Sequence, residues 1–309
     1  MKRIILTLML ALFTLSILNA QDIKLNGTTS AENNQIKNVA DPTDAQDAVT
    51  KNYAETQFYS QIEVDALIAS AVENLQSQID DLDTDNSSGS ITDQDGNTYD
   101  YLTYGVQVWT VENAEMVTYR DGTPIPQVTD NTEWQNLTTG AWAYYNNDPT
   151  KPRLYNWYAV MGIHDVASLT DASLRKAFAP EGWHVPTDAE WTTLENYLIA
   201  NGYNYDGTTT ENKIAKAMAS TTGWISYDIT GVPGNDQSLN NSSGFNAFPE
   251  GTRNYNGSFS DEGNLALFWS STEYGTTYAW YRSLLSNFSS LNRSYYYVRN
   301  GFSVRFVRD

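Results

Sequence analysis

A chain of 309 residues with no cysteine has no disulfides to reinforce it, so its stability must come from burial, for which 9 Trp, 21 Tyr and 10 Phe supply the material. A net charge of −19 repels phosphate backbones and anionic lipid, which excludes nucleic acid and anionic membrane surfaces as partners. The acidity is uneven: residues 21–93 hold 14 acids against 3 bases, and residues 94–309 hold 23 against 13.

At the start, Lys2 and Arg3 precede an apolar run from Ile4 to Leu18, and Leu18-Asn-Ala20 offers a small-residue cleavage site before Gln21. This pattern predicts a cleaved secretory signal over 1–20, because roughly fifteen apolar residues fall short of the ~20 a bilayer span needs. No cysteine borders the junction, so a lipid-modified start is not expected, and no later run is long enough for membrane insertion. Export without cysteine suits the cell surface or extracellular space of a Gram-negative bacterium.

Residues 21–60 have little to bury and predict an extended segment. Over 61–84, Ile68, Val72, Leu75, Ile79 and Leu82 step by four, three, four and three, the spacing of a coiled-coil seam. β-branched residues at a with Leu at d favour two strands. The polar run Asp83-Thr-Asp-Asn-Ser-Ser-Gly-Ser90 ends that helix and predicts a linker over 85–90.

From Ile91 to Asp309 the pattern predicts one large domain. Asp95-Gly96 marks a hairpin turn before the run Thr98–Trp109. Thr187-Asp-Ala-Glu190 is a capping box opening a helix with Trp191, Leu194, Leu198 and Ile199 on one face and Gly202 at its end. A second helix is expected over Glu211–Met218, then a long Asn/Ser/Gly-rich loop over Gly231–Gly251. Short strands follow near Phe268–Ser271, Tyr278–Leu285, Tyr295–Val298 and Gly301–Arg308. Two main helices, short antiparallel strands and long loops indicate an α+β fold.

Two resemblances add to this. Asn34-Gln-Ile-Lys-Asn-Val-Ala-Asp-Pro-Thr-Asp-Ala-Gln-Asp-Ala-Val-Thr-Lys-Asn-Tyr53 resembles the segment that precedes stalks of trimeric tail-fibre-like and bacterial surface proteins. That implies an intertwined collar and a homotrimer, against the two strands the heptad favours. Thr92-Asp-Gln-Asp-Gly-Asn-Thr-Tyr99, Asp121-Gly-Thr-Pro-Ile-Pro126, Leu154-Tyr-Asn-Trp-Tyr-Ala159, Gly182-Trp-His-Val-Pro-Thr-Asp-Ala-Glu-Trp191, Arg253-Asn-Tyr-Asn-Gly257, Trp269-Ser-Ser-Thr-Glu273 and Gly301-Phe-Ser-Val-Arg305 together resemble the Fibrobacter succinogenes major paralogous domain. The resemblance implies a C-type-lectin-like fold over 91–309 whose first and last strands pair, with no agreed activity. Formylglycine-generating relatives of that fold need cysteine, which this chain lacks, and the Glu-Pro-Asn and Gln-Pro-Asp triplets of calcium-dependent sugar lectins are missing.

Chemistry-bearing residues are few. His164 and His184 are the only near-neutral acid–base groups, and no Gly-x-Ser-x-Gly turn supports a triad. Asp93-Gln-Asp-Gly-Asn97 reads as a hairpin turn, not a calcium loop. Asp228, Asn235, Asp236 and Asn240 put hard oxygens in one loop, where calcium is a candidate cofactor; otherwise none is expected. Trp109, Trp157, Trp183, Trp191, Trp269 and Trp280 are expected in the core. Tyr281, Asn287, Phe288, Asn292, Tyr295, Tyr296 and Tyr297 are the candidate ligand-binding residues, being the rigid amphipathic and small polar types of recognition surfaces. The composition of 274–299, with Trp280 unchanged in it, resembles the targets of diversity-generating retroelements. The expectation is a non-enzymatic recognition protein for a glycan or a surface protein. The alternatives are a structural fibre component and a polysaccharide hydrolase using Asp228 and Glu250.

Overall fold

Where turn signals interrupt an aromatic-rich sequence every few residues, strands stay short and must find partners far along the chain. A computed structural model describes residues 61–85 and 88–309. The expected signal over 1–20 and collar over 21–60 lie outside the described residues. The division into two units falls between Ser77 and Gln78.

A 25-residue helix, α1, runs over Gln61–Asp85. Its heptad residues Ile68, Val72 and Leu75 are exposed, while the side chains of Ile79 and Leu82 lie outside the described residues. An a/d stripe is buried only by a second helix, and here the stripe is exposed. The coiled-coil stalk expected at this point is therefore not what the structure shows.

The strands are β1 (Gly89–Thr92), β2 (Thr98–Tyr104), β3 (Gln107–Thr110), β4 (Trp142–Tyr144), β5 (Arg153–Asn156), β6 (Trp183–His184), β7 (Glu250–Arg253), β8 (Phe259–Glu262), β9 (Leu265–Glu273), β10 (Tyr278–Leu285), β11 (Asn292–Tyr297), β12 (Gly301–Phe302) and β13 (Val307–Arg308). They form three antiparallel sheets, in the orders β1-β2-β3-β13-β6, β11-β10-β9 and β4-β5-β12-β7-β8. The C-terminal β13 inserts between β3 and β6, pairing Val307 with Trp109 on one side and with His184 on the other. The Asp95-Gly96 hairpin forms, with Gly96 at φ +88. The buried Asp93 carboxylate accepts from Asp95 N, Asn97 N and the Tyr99 hydroxyl, and that of Asp95 from Val117 N and Thr118 N. Protein donors thus take both carboxylates of the Asp93–Asn97 run.

The expected α+β, C-type-lectin-like fold is overturned: the described structure is mostly β. Beyond α1 its only long helix is α2, Asp188–Ala200; the remaining α-helical segments are four or five residues long. The capping box of α2 forms as expected, with Glu190 N donating to Thr187 Oγ1 at 3.2 Å and Thr187 N to Glu190 Oε2 at 2.7 Å. Trp191, Leu194 and Leu198 are buried, and Gly202 at φ +79 closes the helix with its N–H on Ile199 O. The second expected helix shrinks to Ala215–Met218. Its first turn is lost because Asn204 Nδ2 binds the carbonyls of Thr208, Thr210 and Glu211 while its Oδ1 accepts from Lys213 N, a local alternative to helix bonds. Glu211 accordingly takes a φ of +62.

Two aromatic cores hold the sheets. Around α2, Trp109 and Trp191 meet at 4.6 Å and Phe268 packs on Trp191 at 5.7 Å. In the other, Trp269 packs on Phe302 at 4.2 Å and Phe178 on Tyr155 at 5.1 Å. Arg305 is fully buried against the α2 core, over Phe245 and Phe268, and Arg253 is fully buried in a third, smaller cluster around Trp134. Arg305 donates to Asn113 Oδ1 at 2.5 Å and Thr110 O at 3.0 Å; Arg253 lies over Trp134 at 4.2 Å and donates to Gly257 O at 3.1 Å. These two arginines of the quoted family stretches tie loop carbonyls together from inside.

Candidate functional site

Strands β10 and β11 form a hairpin whose register fixes which side chains share a face. Tyr278 faces Tyr297, Trp280 faces Tyr295 and Arg282 faces Arg293 on one side; Ala279 faces Tyr296, Tyr281 faces Ser294 and Ser283 faces Asn292 on the other. The first side presents a continuous row of rings. Tyr255 packs on Tyr297 at 4.9 Å, and Tyr297 on Tyr278 at 4.7 Å and 33°. Tyr278 meets Tyr295 edge-on at 5.6 Å, and Tyr295 stacks on Tyr274 at 3.9 Å and 20°. Trp280 stands perpendicular to Tyr295 at 5.7 Å and packs on Tyr274 at 4.8 Å. Tyr255, Tyr274 and Tyr295 are exposed; Tyr278, Trp280 and Tyr297 are half-buried.

Charge closes one end of the row. The Arg293 guanidinium lies 3.5 Å over the Trp280 ring and donates to Asp188, Nη2 to Oδ2 at 2.8 Å. The fully buried Arg282 reaches the same carboxylate, Nη1 to Oδ1 at 2.6 Å. Burial pushes the Asp188 carboxyl up, but the bonds from Arg293 and Arg282 more than offset this and hold it below its ordinary value. Asp188 is the first residue of α2, where the helix dipole favours an anion. The row therefore ends in an ion-paired group of two guanidiniums on one carboxylate.

The residues expected to bind ligand are not brought to one place. Tyr295 and Tyr297 belong to the row. Tyr281, Asn292 and Tyr296 point to the opposite face, where Tyr281 packs on Phe302 at 5.2 Å and on the core. Asn287 and Phe288 sit in the turn between the strands. Conversely Trp280, expected in the core, is half-buried in the row, while the other eight tryptophans are buried. Tyr255, Tyr274, Tyr278 and Arg293 join the row without having been expected there. The alternation Tyr278-x-Trp280-x-Arg282 against Arg293-x-Tyr295-x-Tyr297 is the signal that could have found the last two.

The candidate calcium loop is organised around a lysine. Lys216 Nζ donates to Asn240 Oδ1 at 2.8 Å, to Asp236 O at 2.9 Å and to Asn235 O. The ammonium thus takes the oxygens a cation would need, and Asp228 is exposed outside that cluster. Among the described residues no group of three or more His, Asp or Glu side chains is arranged to hold a metal.

His184 lies between Glu190, 2.8 Å from Nε2, and Asp309, 2.7 Å from Nδ1. The hydrogen bond to Glu190 raises its pKa against burial, with Asp309 adding to the rise. Burial pushes the Glu190 carboxyl up, but the bonds from His184 and Thr187 bring it down to about 2. Half of the expected hydrolytic pair, Glu250 Oε2, accepts from Asn113 at 2.6 Å and Ser303 at 2.7 Å, and burial pushes it up to about 7. It is an internal acceptor. A cleft of about 310 Å³ beside His184 is lined by Arg120 and Lys176, both engaged, on Ala179 O and Asp121 respectively.

Three antiparallel sheets, one of them carrying an aromatic row on its outer hairpin, define a mostly β domain. The chain belongs to the Fibrobacter succinogenes major domain family, whose model matches residues 102–308. That description names no enzymatic activity. No curated protein and no solved structure matched the chain.

Proposed function

We propose that this is an exported recognition protein of a Gram-negative bacterial surface, binding a protein ligand through the row Tyr255, Tyr274, Tyr278, Trp280, Tyr295 and Tyr297. The observation that carries this reading is the mutual orientation of the rings. Tyr274 and Tyr295 turn one face each to the other, and Arg293 covers one face of Trp280, which leaves fewer π-faces for a ligand to stack on. Sugar stacking needs free ring faces; protein recognition uses rigid amphipathic edges with hydrogen-bonding tips. Of the two ligand classes expected, a glycan or a surface protein, this orientation favours the protein.

The test is an array of purified extracellular proteins and neutral glycans probed with the full chain and with its Tyr274→Ala/Tyr295→Ala variant. A protein spot bound by the first and lost by the second, at equal melting temperature, supports the reading. Binding confined to glycans, or unaffected by the substitutions, sinks it.

A further inference from the structure

Residues of an antiparallel pair alternate between turning both backbone groups to the partner strand and turning both away. Val298 N–H donates to Thr277 O at 3.1 Å, which sets that parity for the β10–β11 hairpin. Asn292, Ser294 and Tyr296 then bond β10, and Arg293 and Tyr295 turn N–H and C=O outward. Tyr297 does the same, with its carbonyl taken by Asn300 N at 2.9 Å. β11 pairs with β10 alone, so this row of backbone groups has no strand beside it among the described residues.

Proteins protect open edges with proline, lysine, bulges or shortness. β11 has none of these: it is six residues long, its register with β10 is unbroken, and its one charge is drawn to Asp188 on the face. The other outer strands differ. β1, β4 and β6 have four residues or fewer, and β8 carries Asp261 and Glu262. The outer side of β9 is closed by Ser303 N on Leu267 O at 3.1 Å and Trp269 N on Ser303 O at 3.2 Å.

We propose that β11 is a docking edge that takes an extended segment of another protein as an added strand, with the segment's alternate side chains over the tyrosine row. The proposal rests on the protein-recognition reading above and states how the partner is held. Outward N–H and C=O groups repeating every ~6.8 Å match an extended polypeptide, whose own groups repeat at that interval. Charge selects among polypeptides. A second copy would bring −19 against −19, and residues 94–309 alone hold 23 acids against 13 bases, so the segment is uncharged or basic.

The experiment selects binders from a phage-displayed random library of peptides of about twelve residues, long enough for one strand. Selected peptides are then synthesised and N-methylated at one residue at a time. Methylation should weaken binding by about tenfold or more at every second residue and little between, because only alternate N–H groups face β11. Tyr295→Pro, which removes an outward N–H without touching the β10 ladder, should lose about tenfold more affinity than Tyr295→Ala. A methylation scan without period two, with Tyr295→Pro no worse than Tyr295→Ala, overturns the docking edge but leaves the face reading standing. Failure to select any peptide, where the protein array succeeds, overturns the edge alone; failure of both removes both readings. Should Tyr295→Pro not fold, the methylation scan decides by itself.

Discussion

Eight tryptophans are buried and one is not, and the difference is the side of a pleat. Trp269 and Trp280 both lie in aromatic strands, yet Trp269 sits against Phe302 and Trp280 under Arg293. Trp269→Ala should cost about 3–5 kcal/mol in denaturant unfolding, as for large core truncations. Trp280→Ala should leave unfolding within about 1 kcal/mol of the parent while removing ligand binding. Tyr281 behaves as core despite its composition-based assignment to the ligand surface, and Tyr281→Ala should lower the melting temperature. Lys216→Met strands the carbonyls of Asn235 and Asp236 and the Asn240 side chain, which should cost about 1–3 kcal/mol. In the parent chain, millimolar calcium should not move the melting temperature; a rise would show that the loop recruits the ion after all. These assignments are illegible in the sequence because hard oxygens and aromatics look alike whatever they face.

At the scale of elements, local signals that require only neighbours in sequence translate directly into structure. The Asp95-Gly96 turn and the Thr187–Glu190 cap involve contacts within a few residues, and both form. The shortened second helix is equally local, but its cause is a single side chain, Asn204, seven residues before Glu211. The cap of α2 is tied through His184 to Asp309, which makes its strength depend on pH. His184 has a folded pKa above its ordinary 6.5, so its contribution is complete below 6.5 and vanishes as pH rises through the higher value. Glu190, at about 2 against an ordinary 4.5, contributes fully above 4.5 and loses that as pH falls toward 2. The stability difference between the parent and His184→Ala should therefore be largest between pH 4.5 and 6.5 and shrink on both sides, read from melting temperatures across roughly pH 3–9. Glu250 acts separately. Its carboxyl keeps a proton in the folded state up to about pH 7, so its ionisation lowers stability between 4.5 and 7, and Glu250→Gln should remove that slope.

For the molecule as a whole, Ile68, Val72 and Leu75 of α1 are exposed, so the heptad spacing that is plain in the sequence does not translate into a buried seam among the described residues. Family membership is legible in the amino-acid order alone, because its motifs are contiguous and the matching family spans 102–308. Fold class is not, since those motifs do not say how little helix the long loops between them permit. By itself the sequence determined the quantities that are local or additive: charge, absence of disulfides, aromatic supply, caps and tight turns. Only the tertiary structure decided which face each tyrosine takes, that Lys216 fills the cation's place, and that β11 has a strand on one side only among the described residues. Those outcomes depend on strand register and on pairings between residues far apart in the chain, and a shift of one residue in register would have reversed every face.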